Sequence, residues 1–126
     1  MPDLYCDIDG TLIDKDDNIR PFVKELFEAA YAKGFSIFVW SAGGVDYAQL
    51  QLRRIYNKLG MKTPVSIVPK DFSYVRYKDF RSMCIDDMEA VCDSFLKGKG
   101  YAQKVPYYES TIHFQDPTLK LIAEKL

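Results

Sequence analysis

Leu4-Tyr5-Cys6-Asp7-Ile8-Asp9-Gly10-Thr11-Leu12 is an apolar run that ends in two aspartates one residue apart and is followed at once by Gly-Thr. Side chains along a strand alternate with a period of two. Asp7 and Asp9 are therefore expected to leave the end of a buried strand with both carboxylates facing one crevice. Carboxylates held that close repel each other. A divalent cation, a basic side chain or a shared proton relieves the repulsion, and each of these is also a catalytic device. The stretch reads as a phosphoryl-transfer site. The competing reading is an Asp-x-Asp-Gly turn that only caps a strand or belongs to a calcium loop.

Strand and helix patterns alternate beyond this stretch. Pro21 opens a helical segment in which Phe22, Val23, Leu26, Phe27 and Ala30 share a face, and Gly34 closes it. Phe35 to Trp40 is a solid apolar and aromatic run, short enough for a buried strand. A second helix is expected from Val45, with Val45, Ala48, Leu52, Ile55 and Leu59 in register and Gly60 as its stop. Val65 to Val68, between Pro64 and Pro69, is the third strand, and Ser82 to Ile85, ending in Asp86-Asp87, is the fourth. Met88, Val91, Cys92, Phe95 and Leu96 mark the helix behind it, and Val105 to Tyr108 reads as a fifth strand. A last helix has Asp116 as N-cap, Pro117 in its first turn, and Leu119, Ile122 and Leu126 on its apolar side.

Strands separated by helices imply a parallel sheet covered on both faces by right-handed crossovers. The expected fold is α/β: a three-layer, doubly wound, Rossmann-like and mostly parallel sheet of about five strands. The 126 residues suit one domain, 1–126, without repeat, low-complexity stretch or linker. With 48% hydrophobic and 28% charged residues the chain has a globular composition. No stretch approaches the roughly 20 apolar residues of a membrane-spanning helix, and the Met-Pro-Asp opening does not read as a signal peptide. A cytoplasmic protein is expected, with Cys6, Cys84 and Cys92 as reduced packing residues. A net charge of −1 gives no general pull toward nucleic acid.

In doubly wound sheets functional groups gather at the carboxyl ends of the strands. Those ends supply Asp7 and Asp9, then Ser41, then Lys70 just past the third strand, and Asp86 with Asp87 from the fourth. Magnesium prefers oxygen ligands, so carboxylates from separate strand ends, such as Asp7 and Asp86, are an appropriate cage. Ser41 precedes Ala42-Gly43-Gly44 and a helix, so its hydroxyl and the backbone N–H groups behind it are candidates to hold phosphate oxygens. Lys70 supplies positive charge, with Arg76 and Lys78 as the other cations between the third strand and the acidic pair.

Here the chain resembles the haloacid dehalogenase superfamily, most closely its phosphatases. The resemblance rests on Asp7-Ile8-Asp9-Gly10-Thr11-Leu12, Val39-Trp40-Ser41, Lys70 and Ile85-Asp86-Asp87, which in order and spacing span residues 4 to 87. It implies a magnesium-dependent phosphatase. Asp7 would attack phosphorus to give an aspartyl-phosphate, and Asp9 would protonate the leaving oxygen and later activate water. Magnesium would be held by Asp7, Asp86 and the main-chain carbonyl of Asp9, with Asp87 as a further ligand or a support. Ser41, Ala42 and Lys70 would bind the phosphoryl group.

Cap domains common in that family are not expected here. One insertion point spans only Ile13 to Arg20, and the other only Asp71 to Arg81. In the family it resembles, an open, capless site implies an exposed macromolecular phosphate as substrate, or a phosphorylated small molecule under a lid built by an oligomer. The Phe72 to Arg81 segment interleaves aromatics with bases, as a reader of nucleic-acid ends would, but ordinary packing explains it better. Asp14, Asp16 and Asp17 read as a solvated loop, as do Lys97, Lys99 and Lys104, and His113 as structural. Tyr107 and Tyr108 belong to the crevice border or to the core. The alternative from a different class is a phospho-accepting signalling domain or a catalytically inactive phosphate-binding module.

Overall fold

A computed structural model describes residues 2–75, 81–97, 100–112 and 115–126. The strands are β1 (Asp3–Asp7), β2 (Ser36–Trp40), β3 (Ser66–Ile67), β4 (Met83–Asp86) and β5 (Tyr101–Lys104), and the helices are α1 (Val23–Ala32), α2 (Val45–Leu59), α3 (Glu89–Lys97) and α4 (Thr118–Lys125). All strand pairs are parallel, in the order β3-β2-β1-β4-β5. The chain winds outward from β1 to β3 and then restarts on the other side of β1. This is the doubly wound topology expected from the alternation of patterns, and its strand order reverses at β1 and β4.

Alternate residues of the central strands feed two cores. Leu4 and Cys6, Ile37 and Val39, and Ile85 face one layer, where they meet Leu26 and Phe27 of α1, Leu52 and Ile55 of α2, and Leu119 and Ile122 of α4. Tyr5, Trp40 and Cys84 face the other, with Phe95 of α3. This second layer is aromatic. Tyr5 stacks on Phe38 with ring centroids 5.1 Å apart, and Phe72 meets Trp40 edge-on at 5.7 Å. Phe72 begins a short 3-10 turn, Phe72–Tyr74, whose Ser73 N–H donates to Asp71 Oδ1 at 2.9 Å. The turn anchors the chain just after Lys70. The aromatic residues described in the Phe72 to Arg81 segment thus serve packing at Phe72, while Arg76, Lys78 and the rest of 76–80 lie outside the described residues, as does His113.

The structure moves the fifth strand. It occupies Tyr101–Lys104, and Val105 to Tyr108 is the segment that follows it. A sheet edge needs no apolar run, and three of the four β5 residues are exposed. The apolar character of Val105 and Tyr108 has another cause: both are buried where the chain crosses the end of β4 and the loop after β1. Val105 N–H donates to Asp86 O at 2.9 Å, and Tyr108 N–H to Gly10 O at 2.8 Å. Lys97 ends α3 and Lys104 lies in a strand, so neither is in a loop, and Lys99 lies outside the described residues. Phe22 is not part of the first helix but precedes it in left-handed backbone, φ 73°. Asp116 lies one residue further from α4 than an N-cap, yet its Oδ1 accepts from Thr118 N–H at 2.8 Å and so serves the helix start. All three cysteines are buried and free. Among the described residues no helix is long and apolar enough to cross a membrane.

Candidate active site

The sheet register determines which acids meet. Cys6 pairs with Ile85, so the next residues, Asp7 and Asp86, leave adjacent strands at the same height at the reversal point. Asp7, Asp86 and Asp87 each offer a carboxylate oxygen, and these oxygens lie within 4.8 Å of one another. Lys70, two residues beyond Val68 and held by the Phe72 turn, reaches into the same place. Its Nζ is 2.9 Å from Asp7 Oδ1 and 2.8 Å from Asp86 Oδ2. Asp86 also accepts Met88 N–H on Oδ1 at 2.8 Å, which ties the start of the α3 segment to the cluster. Three carboxylates against one ammonium leave an excess of negative charge, and all the donor atoms are hard oxygens. Such a set fits magnesium.

Burial and the neighbouring Asp86 charge, with a hydrogen bond to Asp87, push the Asp7 carboxyl up to about 7, against the pull of Lys70. Burial likewise raises Asp86, although Lys70 and the Met88 N–H oppose it. Burial lowers the Lys70 ammonium, but Asp7 and Asp86 outweigh this and leave it above its ordinary value. The cluster without a cation is therefore electrostatically strained in its ionised form.

Asp9 stands apart from this group. The strand ends at Asp7, so period-two alternation does not extend to Asp9, whose side chain is exposed at the crevice mouth. Its Oδ1 accepts from the Tyr47 hydroxyl at 2.5 Å, and its Oδ2 lies 3.4 Å from Ser41 Oγ. Ser41, directly past β2, is buried, whereas Ala42 is exposed. The turn that follows uses two of its own N–H groups internally: Gly43 N–H donates to Ser41 Oγ at 3.0 Å and Gly44 N–H to Ser41 O at 3.1 Å. Those two donors are thus engaged within the turn, which corrects the expectation of free N–H groups behind Ser41. Burial, then the Asp9 hydrogen bond and charge, push the Tyr47 hydroxyl up to about 12, so it is a proton donor at neutral pH.

The loop from Gly10 to Arg20 is held from several sides. Gly10 has φ +79°, and a Cβ there would fall 2.4 Å from Tyr107 Cδ2 and 2.8 Å from Asp87 Oδ2. Only glycine suits both the backbone and the space. Tyr107 thus borders the crevice, while Tyr108 is buried and stacks under the Arg20 guanidinium. Thr11 Oγ1 is 3.1 Å from Asp7 Oδ2 and 3.3 Å from Asp87 Oδ1, within donating reach of both. Arg20 is fully buried; its Nε donates to Asp116 Oδ2 at 2.8 Å and its Nη1 to Thr11 O at 3.2 Å. Asp14 is not solvated as expected. It is buried and accepts the Asn18 N–H at 2.8 Å and the Ser110 N–H at 3.1 Å, and these hydrogen bonds, with the Ser110 and Asn18 side chains, outweigh burial and hold it below the usual carboxylate range. Among Asp16 and Asp17, the latter meets Gln51 and Arg54 of α2.

Strand ends pointed to Asp7, Asp9, Ser41, Lys70, Asp86 and Asp87; the structure gathers Asp7, Lys70, Asp86 and Asp87 into one cluster and sets Ser41 against Asp9 beside it. Tyr47, Thr11 and Arg20 were missed. The signal for Tyr47 was its place in the first turn of a helix that starts at a strand's carboxyl end, where side chains can face the crevice. Arg20 offered none, because burial of a lone arginine is decided by long-range partners such as Asp116.

A family model for haloacid dehalogenase-like hydrolases matches residues 4–68, from β1 through the end of the β3 segment. No curated protein matches the chain. Among solved structures it is similar to the crystal structure of D,D-heptose 1,7-bisphosphate phosphatase from Burkholderia thailandensis, with 14% sequence identity and a TM-score of 0.58 over 79% of this chain and 75% of that one. At that identity the likeness concerns the fold alone. The family match covers just over half of the 126 residues and includes Asp7 at the end of β1 and Asp9 just beyond it, so the chain belongs to the haloacid dehalogenase-like hydrolases.

Proposed function

We propose that this chain is a magnesium-dependent phosphatase that hydrolyses phosphomonoesters through an aspartyl-phosphate on Asp7. One observation carries the reading: three carboxylates from β1 and the end of β4 converge within 4.8 Å, with Lys70 bridging Asp7 and Asp86. A phosphatase needs an anionic nucleophile close to an anionic substrate, and this cluster has the composition to make that encounter tolerable. Asp7, Asp86, Asp87 and the Asp9 main-chain carbonyl would hold magnesium, which when bound offsets the charge of the phosphate and of Asp7.

In the first step an Asp7 oxygen forms a bond to phosphorus while the ester P–O bond breaks, and Asp9 gives its proton to the departing oxygen. In the second, Asp9 takes a proton from water as the water oxygen attacks phosphorus, and the bond to Asp7 breaks to release phosphate. Lys70 holds Asp7 in line and offsets charge on the transferred group. Ser41 and the Ala42 N–H would receive phosphoryl oxygens, with Thr11 fixing the remaining Asp7 oxygen. We read residues 1–126 as a single catalytic domain with an open, capless crevice and a cytoplasmic setting. The open mouth supports a small phosphomonoester or an exposed macromolecular phosphate as substrate, and the net charge of −1 weighs against a nucleic-acid end.

The test is turnover of an aryl phosphate with magnesium. Asp7→Asn should lower kcat by about a thousandfold or more, with unchanged far-UV circular dichroism, and chelation should abolish activity of the unaltered protein. An acid-quenched phosphoenzyme should form on the unaltered chain and not on the variant. Undiminished turnover by Asp7→Asn would remove the nucleophile, and a stable phosphoprotein without turnover would favour a phospho-accepting module.

A further inference from the structure

The geometry points to Tyr47 as the residue that positions Asp9 for proton transfer to the leaving group, a role that rests on the phosphatase reading above. Asp9 is an exposed carboxylate on the loop after β1, and an unrestrained aspartate there would sample several rotamers. Two neighbours restrict it. The Tyr47 hydroxyl donates to Oδ1 at 2.5 Å from the first turn of α2, and Ser41 Oγ faces Oδ2 at 3.4 Å from the end of β2. Each carboxylate oxygen is thus addressed by a different element.

The seat of the Tyr47 ring supports the same assignment. A Cβ at Gly43 would lie 3.0 Å from Tyr47 Cδ2 and 3.3 Å from its Cγ. The bare backbone of Gly43 is what lets the ring lie over the turn and bring its hydroxyl to Asp9. The two contacts also differ in kind. A phosphoryl group received at Ser41 takes that hydroxyl and frees Oδ2, while the Tyr47 bond to Oδ1 persists. Oδ2 is then the oxygen that carries the proton toward the substrate. As the Asp7–phosphorus bond forms and the ester P–O bond breaks with its electron pair going to the departing oxygen, that oxygen takes the Asp9 proton. Tyr47 keeps its own proton throughout; it positions, and does not transfer.

The test compares two substrates with magnesium: 2,4-dinitrophenyl phosphate, whose leaving group departs without a proton, and an alkyl phosphate, whose leaving group requires one. Tyr47→Phe keeps the ring on Gly43 and removes only the hydroxyl. Its kcat/KM should fall about tenfold on the alkyl ester, a modest part of what general acid catalysis contributes, and by less than about twofold on the dinitrophenyl ester, with an unchanged melting temperature. Equal losses on both esters, or no loss on either, would overturn the assignment. Asp9→Asn is the reference and should show the same bias more strongly. If Asp9→Asn lacks the bias, the acid role proposed for Asp9 fails. If Asp9→Asn shows it and Tyr47→Phe does not, the inference about Tyr47 alone fails.

Discussion

Lys70 is the ammonium that bridges two of the three clustered carboxylates, and its side chain is 11% exposed. Removing it leaves Asp7 and Asp86 facing each other without compensation in a place that water barely reaches. Lys70→Met should therefore destabilise the metal-free protein by about 3 kcal/mol, measured by urea unfolding in chelator, and should abolish turnover. A loss within about 0.5 kcal/mol, the range of an ordinary surface change, would show that the pair is solvated and structurally idle. Gly10 makes the opposite kind of demand, for absence of a side chain. Gly10→Ala must adopt φ +79° with a Cβ 2.4 Å from the Tyr107 ring. The strain should cost about 1 to 3 kcal/mol and displace the loop that carries Asp9. Tyr107→Ala in the same background should recover part of the stability, because it clears the nearest atoms. The Asp87 carboxylate at 2.8 Å limits that recovery.

At the scale of elements, the turn from β2 into α2 explains why strand-end residues were legible and their partners were not. Ser41 follows directly from the end of an apolar run, and Lys70 from its place after a strand between prolines, so chain order alone located both. Tyr47 is brought to Asp9 by the dihedrals of Gly43-Gly44, with Gly44 at φ +101°, and no hydrophobic pattern encodes those angles. Gly44→Ala adds a Cβ that meets nothing within 4 Å, so its cost is backbone strain alone, about 1 to 2 kcal/mol. The consequence for activity should be selective: the Tyr47–Asp9 geometry shifts while the Asp7 cluster stays, so phosphoenzyme should still form from an activated aryl phosphate. The fifth strand failed to be legible for a related reason. Periodicity reports burial, and in Tyr101–Lys104 an edge strand pairs through its backbone with little of its side-chain surface buried. The buried apolar residues nearby, Val105 and Tyr108, cover the end of β4 and the loop after β1 instead. Asp14 misled in the opposite direction, since one acid among three in a polar stretch gives no hint that four donors will surround it. Its partners include Ser110, far along the chain.

At the scale of the whole molecule, the doubly wound sheet gathers acids from sequence-distant strands, and this makes stability depend on pH and cation together. The ordinary Asp carboxyl titrates near 3.8, whereas folding moves Asp7 up to about 7, and Asp86 in the same direction. The unfolded chain thus releases these protons at lower pH than the folded one. The Asp7 contribution to stability is fully present below about 3.8, is lost progressively as pH rises toward 7, and stays lost above it, and Asp86 acts in the same sense. Asp14 and Asp116, held below their ordinary values, act with the opposite sign and lose their contribution as pH falls below about 4. The metal-free protein should accordingly be most stable between about pH 4 and 6. Magnesium held by the native carboxylate cluster would compete with protons for it, so on the proposed function saturating magnesium should raise the melting temperature more at pH 8 than at pH 5. The same imbalance gives an independent check on where the strain resides. Asp7→Asn removes a charge that the folded state disfavours, and at pH 8 in chelator it should be more stable than the unaltered protein by on the order of 1 to 3 kcal/mol. At pH 4 the Asp7 carboxyl is already protonated when folded, so the advantage should vanish. A variant equally stable or weaker at both pH values would place the dominant repulsion elsewhere than between Asp7 and Asp86, and would remove the electrostatic reason for assigning a cation to this cluster.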